Sequence, residues 1–423
     1  MCIRIGIAFI QGRVQDSYSG IRLENPFSST IDELVTTKRK FQSAPSSSNV
    51  ISDYQKPNTK YPPRPKMPGS TKARIAIFPE KEKAELVEMK LPPLEANQIL
   101  VKTHYSGVSI GTDRAVYRDA YPGRKMNYPV AAGYMLTGEV IECGPGPNTF
   151  DVGEIVFVWP GFDRGQGGLH GMVYPDNPPA QMVCGGHASH VIASSNWGNV
   201  FRLPPRVTAK EACIDVLPGV ALRGIYMAGG IQPGNTVLVH GLGVIGLSAA
   251  IFARSKGAEV IAVEPVANRR RLLENMAGVE VFHPDVDLIR ESEFLRKESQ
   301  DVRDRGGADM LIDTTSIQAV VNEASRNVRT GGRVVYSGMY SNDQAFDHFV
   351  THTRELTAYF PYSTRYGEIE ETLRAQASGL LDTKPFLTHT FPPEQTPEAF
   401  SLLSDTPDDM VSICIEWSSI SLR

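Results

Sequence analysis

Cysteine is scarce in this sequence. Five occur among 423 residues, Cys2, Cys143, Cys184, Cys213 and Cys414, and they are scattered. That scatter excludes a disulfide framework and fits thiols kept reduced inside a cell. No apolar run reaches the roughly 18 residues that a membrane-spanning helix needs. An excess of positive charge is missing as well. The formal net charge is -4 and the pI near 6.2, which argues against a nucleic-acid binder with its basic patch. There is no internal repeat. What remains, 41% hydrophobic and 21% charged, is the make-up of a soluble globular chain. At about 100–200 residues per domain, the length calls for two domains and an extra segment.

Residues 1–71 differ from the rest. "SAPSSSNV" and "KPNTKYPPRPKMPGS" are rich in Ser and Pro, and such stretches bury too little apolar surface to offset their ordering entropy. A disordered or loosely packed extension is expected there. The early Arg4 and the lack of a small-residue cleavage site argue against a signal peptide. Glu24, Asp32 and Glu33 weaken a transit-peptide reading. An arm packed on a partner subunit is a third option. A cytoplasmic location is expected, with organelle targeting by the extension left open.

From "ARIAIFPE" (73–80) onward, short runs read as strands between turns. They include "ILVKTHYSGVS" (99–109), "TGEVIECGPG" (137–146) and "GEIVFVWPG" (153–161). No helical period stands out in this stretch, so residues 72–205 are expected to form a mostly β substrate domain. Over 206–350 the pattern changes. "GNTVLVHGLGVIGLSAAIFARSKGAEVIAVE" (234–264) reads strand, glycine turn, helix, strand. "NRRRLLENMAG" (268–278) reads as helix, and "VEVF" (279–282), "ADMLIDTT" (308–315) and "GRVVYSGM" (332–339) as strands. Strands alternating with helices imply a parallel sheet with right-handed crossovers. Residues 351–423 read as a return segment whose last strand completes the first domain. The expected fold class is α/β: a β domain with an inserted, doubly wound parallel sheet.

Gly241, Gly243 and Gly246 form G-x-G-x-x-G directly after the apolar run Thr236–His240. The pattern alone is weak. A strand before it, a helix after it and a second strand ending at Glu264 give it force. The backbone of Gly241, Leu242, Gly243, Val244, Ile245 and Gly246 is expected to cradle a pyrophosphate at the helix N-terminus. Glu264 can accept hydrogen bonds from the adenosine ribose and repels a 2′-phosphate, which favours NAD. Arg269 is the best placed of Arg269, Arg270 and Arg271 to reach the adenosine, and it leaves NADP open. The other two read as a solvated helix face.

These stretches, together with "SGVSIGTD", "YPVAAGYMLTGEVIECGPGPNTFDVGEIV", "GGHASHVIAS", "GGADMLIDTTS" and "LTHTFPPEQTPEAF", run in one order. Over about 72–417 the chain thereby resembles the medium-chain dehydrogenase/reductase superfamily, to which zinc alcohol dehydrogenases belong. The resemblance implies a GroES-like β domain with an inserted Rossmann domain and a nicotinamide cofactor in the cleft between them. It implies a small-molecule substrate and a homodimer. It also implies backbone contacts from Ser337 and Gly338 to the nicotinamide side.

The departures from the family matter as much. Where the zinc enzymes have cysteine before Gly-Thr-Asp, this chain has Ile110. Their Gly-His-Glu is Gly133-Tyr134-Met135 here, so Tyr134 replaces the histidine ligand. The third ligand position falls at about Pro218. Zinc is held by thiolate, imidazole or carboxylate, and these positions offer none. Of the cysteines that a structural zinc lobe needs, only Cys184 lies between 155 and 200. No metal is therefore expected. "CGGHASH", with Cys184, His187 and His190, has ligand-like spacing. On a strand, however, residues three apart face opposite ways.

Without zinc, hydrogen-bond donors must stabilise the charge that builds on a substrate oxygen. The resemblance assigns Thr112 to the hydroxyl that relays protons in the zinc enzymes. Tyr134 is expected to point its phenol into the vacated pocket and to act as acid or base if its pKa is lowered. His187 is expected to line the pocket and assist. Space-filling for Tyr134 and plain packing for His187 are the alternatives, and Asp113 reads as a packing residue behind the site. The expected activity is zinc-independent hydride transfer between NAD(H) and a secondary alcohol or ketone. An NADPH-dependent reductase of activated C=C bonds and a non-catalytic nucleotide-binding homologue remain as alternatives.

Overall fold

The computed structural model describes residues 72–418, apart from 160–161, 164–167, 170–171, 174–179, 183, 196–197, 299–305 and 342–343. The expectations for residues 1–71 and for most of the 160–183 loop fall outside these residues.

The strand Gln98–Val108 is the spine of the first sheet. Leu136–Cys143 pairs antiparallel along one side of it, followed by Ile155–Val158 and Val200–Arg202. On its other side His190–Ser194 pairs with its first half. The last strand of the chain, Ile413–Glu416, pairs with its second half, Ile413 opposite Val108 and Glu416 opposite Tyr105. The C-terminus thus returns to the domain that the chain began, which leaves the intervening residues as an insertion. Ile99, Val101, Leu136, Val140 and Val156 fill one core of this sheet. Phe78, Phe400, Ile413, Ile415 and Trp417 fill another.

The inserted sheet is parallel. Its spatial order is Val279–Phe282, Glu259–Val263, Thr236–His240, Ala308–Asp313, Val328–Tyr336, Thr357–Tyr359. In sequence this runs third, second, first, fourth, fifth, sixth, the order of a doubly wound dinucleotide sheet whose ligands bind at the switch between the first and fourth strands. The run Thr236–His240 is buried throughout, because helices cover both faces of such a sheet. Val237 and Val239 join a core with the helices Val216–Met227 and Val244–Ser255, while Leu238 joins the core on the opposite face.

Two local expectations need correction. A short helix, Thr112–Tyr117, interrupts the β domain, and six residues are too few to print a helical period on the sequence. In the 268–278 stretch only Ala267–Arg270 is helical. Arg270 folds back onto the carbonyls of Glu264 and Pro265 instead of lining a solvated helix face, whereas Arg271 is exposed as expected. Among the described residues no helix is long and apolar enough to cross a membrane.

Candidate functional site

The nucleotide end is built at the switch point. Gly241 takes φ +84, a conformation costly for any residue with a Cβ. A Cβ on Gly246 would stand 1.8 Å from the Gly241 carbonyl oxygen, so helix Val244–Ser255 packs on the turn at a distance only glycine allows. Gly243 differs: nothing lies within 4 Å of a Cβ placed there. Its open side faces out beside the N–H groups of Val244, Ile245 and Gly246, which in a helix's first turn have no intrahelical acceptor.

Glu264 follows the second strand and is almost fully buried. One carboxylate oxygen accepts the Leu242 N–H at 2.6 Å, and the other accepts the Val266 N–H at 3.0 Å. Arg269 lies 3.8 Å from Glu264, yet its guanidinium donates to the Met410 carbonyl at 2.8 and 3.2 Å. Its side chain ties the end of the second strand to the segment that returns to the first sheet.

At the end of the fifth strand the Ser337 N–H is already donated to the Asp313 carbonyl at 2.9 Å. What Ser337 leaves open is its hydroxyl oxygen, which is buried and has no partner among the described residues. Gly338 packs so tightly on Ser316 that a Cβ would meet its hydroxyl at 2.6 Å.

The substrate end lies where the Gln98–Val108 strand runs into helix Thr112–Tyr117. The Ser109 N–H donates to Asp113 Oδ2 at 2.8 Å, and the Thr112 N–H donates to Ser109 Oγ at 3.1 Å. Tyr134 sits half-buried with its phenol hydrogen-bonded to Ser109 and Thr112. Burial, and then the charge of Asp113, push this phenol well above the usual tyrosine range. The condition set for Tyr134, a lowered pKa, is not met: desolvation disfavours the phenolate. Cys184 lies near Tyr134, its thiol also pushed up by burial and then by Asp113.

His187 departs from its expected place in the pocket. It is buried, with Nδ1 3.0 Å from Ser106 Oγ and Nε2 3.3 Å from Asp113 Oδ2. Both ring nitrogens are engaged, so neither is free for a substrate. The strand beyond it starts only at His190, whose ring bonds Ser189 instead, at 3.0 Å. Among the described residues no group of three His, Cys, Asp or Glu side chains is arranged to hold a metal. Ile110 packs with the Phe78 core, and Pro218 is buried inside helix Val216–Met227. Sequence reasoning passed over Ser109 and Ser106. Nothing in a lone serine at a strand end marks it, although only Ile110 separates Ser109 from the Gly-Thr-Asp motif.

Comparison with known proteins agrees with this architecture. Residues 95–205 match the family profile of the alcohol dehydrogenase GroES-like domain, and residues 244–378 that of the zinc-binding dehydrogenases. The sorbitol dehydrogenase of Bacillus subtilis (strain 168) is 27% identical over 348 residues, 77% of this chain and 92% of that relative. The crystal structure of 2R,3R-butanediol dehydrogenase from Bacillus subtilis aligns with a TM-score of 0.66 at 19% identity, covering 81% of this chain and 99% of that one. An Escherichia coli CFT073 structure described as a short chain alcohol dehydrogenase complexed with NADH aligns with a TM-score of 0.65 at 18% identity, covering 82% and 100%. The structural likenesses establish the shared fold.

Proposed function

The chain belongs to the medium-chain dehydrogenase/reductase superfamily and is an oxidoreductase of that type, and from that premise we propose that it passes a hydride between NAD(H) and a secondary alcohol or ketone without zinc. One observation carries this reading: the hydroxyls of Ser109, Thr112 and Tyr134 meet beside Asp113 at positions that offer no metal ligand.

The residues at the switch point fit a nicotinamide dinucleotide. The open side of Gly243 leaves room for a pyrophosphate against the helix N-terminus. Glu264 ends the second strand with lone pairs left for ribose hydroxyls, since each carboxylate oxygen accepts more than one hydrogen bond. The unpartnered Ser337 hydroxyl waits at the end of the fifth strand. Bound there, the nicotinamide ring supplies or takes the hydride. Glu264 disfavours a 2′-phosphate, and Arg269, held by Met410, is not free to welcome one. Both favour NAD.

The raised phenol of Tyr134 keeps its proton at neutral pH. It therefore donates a hydrogen bond, and then the proton, to a carbonyl oxygen as negative charge builds there. Thr112 and Ser109 hold the phenol in place. A protonated donor suits reduction of a ketone better than abstraction of a proton from an alcohol.

Metal analysis of purified protein, run beside fluorescence titration with NADH and NADPH and turnover on a ketone panel, tests the proposal. Substoichiometric zinc, tighter NADH binding and ketone reduction are expected. Stoichiometric zinc would sink the metal-free chemistry. A clear preference for NADPH, with turnover only on activated alkenes, would favour the C=C reductase instead.

A further inference from the structure

The Trp417 Nε1–H can only donate, and it lies 2.9 Å from Ser106 Oγ. The Ser106 hydroxyl, which keeps a second lone pair and its own hydrogen, also meets His187 Nδ1 at 3.0 Å. On the other side of the ring Nε2 faces Asp113 Oδ2 at 3.3 Å; that oxygen already accepts the Ser109 N–H, so the contact needs the hydrogen on Nε2. Asp113 is surrounded by donors: besides His187, Oδ2 takes the Ser109 N–H at 2.8 Å and Oδ1 takes the Gly133 N–H at 3.2 Å.

The two backbone donors matter because of what adjoins them. Ser109 opens the segment that carries Thr112, and Gly133 immediately precedes Tyr134. One carboxylate thus joins the two segments that hold the hydroxyl cluster. The His187 ring is packed against the same joint. Gly133 has φ +91, and a Cβ there would meet the ring at 2.6 Å. The edge of Phe400 closes on the ring at 5.3 Å between centroids. Asp113 and His187 are 1% exposed, Ser106 0% and Trp417 1%, so the chain of hydrogen bonds runs inside the protein. The other titratable groups whose interactions reach Asp113 here are Tyr134 and Cys184.

We propose that Asp113 and His187 are positioning residues of the catalytic site, Asp113 bolting the Ser109–Thr112 segment to the Gly133–Tyr134 segment and His187, protonated on Nε2, holding the bolt. The role assigned to the hydroxyl cluster rests on the function proposed above; the hydrogen-bond chain itself does not.

Two measurements on the full chain test it. With ¹⁵N-histidine labelling and His187→Gln for assignment, the NMR signals of His187 are expected to show a hydrogen on Nε2. A wild-type ring with no hydrogen on Nε2 overturns the assignment.

The second measurement is kinetic, using NADH and the best ketone of the panel. His187→Met removes the donor. It should lower kcat on the order of tenfold to a hundredfold, the usual penalty of a slight misplacement, with NADH affinity unchanged. His187→Gln returns an amide N–H near the Nε2 position and should restore most of kcat. Full turnover in His187→Met, or no rescue by glutamine, overturns the positioning role. If wild-type protein reduces no ketone, the proposed function falls, and the NMR result still decides the hydrogen-bond chain.

Discussion

The backbone N–H of Leu242, in the glycine turn, donates a 2.6 Å hydrogen bond to the carboxylate of Glu264 at the end of the neighbouring strand. The residue proposed to hold the ribose therefore also holds the turn proposed to receive the pyrophosphate. Glu264→Ala would strip the ribose acceptor and leave a buried N–H unpaired, at a cost of about 1–3 kcal/mol. The expected outcome is a lower Tm and NADH affinity weakened by about tenfold or more, with a smaller loss for NADPH, which shares the loosened turn but gains from removal of the carboxylate. Equal losses for the two cofactors in fluorescence titration would count against the proposed NAD selectivity.

Gly246 and Gly243 should separate folding from binding. Gly246→Ala places a methyl 1.8 Å from the Gly241 carbonyl oxygen. Backbone cannot yield cheaply, and overpacking of this kind costs about 1–3 kcal/mol or more. Its Tm should drop clearly. Gly243→Ala has open space and an ordinary negative φ of -71, so its Tm should stay within a degree or two of wild type while NADH binding falls. Normal NADH binding by Gly243→Ala would mean that the pyrophosphate lies elsewhere.

Tyr134→Phe removes the proposed proton donor and should lower kcat for ketone reduction by about 10²-fold or more. Thr112→Ala, which leaves the phenol in place but unsteadied, should cost less. Because burial and Asp113 raise the phenol, it stays protonated as pH rises through neutrality. Reduction should show no loss from this group between about pH 6 and 9, where an unperturbed tyrosine is also neutral. A basic limb inside that window that vanishes in Tyr134→Phe would show a lowered phenol and refute the donor assignment.

Acid should unfold this protein partly through two histidines. Burial pushes His190 and His240 down to about 4, and the Nε2 atom of each is buried with no partner among the described residues. Below pH 6.5 the unfolded chain binds protons at both positions, while the folded chain does not until about pH 4. Stability therefore falls as pH drops through that window, by about 1.4 kcal/mol per pH unit for each histidine. His240→Leu should flatten the decline of Tm between pH 6.5 and 4. An unchanged slope would mean that His240 takes up its proton in the folded state.

Much of the nucleotide end was legible in sequence. Thr236–His240, the glycine turn and helix Val244–Ser255 are local, and each residue there answers to neighbours a few positions away. The helix Thr112–Tyr117 was not legible, because six residues carry less than two turns of pattern. The fate of Arg269 was hidden too: its partner Met410 lies 141 positions on.

By itself the sequence determined the strands of the inserted sheet around the glycine turn, the position of that turn and the absence of zinc-ligand side chains at Ile110, Tyr134 and Pro218. Those properties depend on residue type and short-range spacing. Only the tertiary structure decided that Tyr134 carries a raised phenol, because desolvation belongs to the packed environment. It alone decided that His187 faces Asp113 and not the pocket. The Ser106 contact of that ring spans 81 positions, and the next bond, from Trp417 to Ser106, spans 311. Hydrogen bonds closed over such distances have no local signature, since the segments meet only when the last strand of the chain returns to the first sheet.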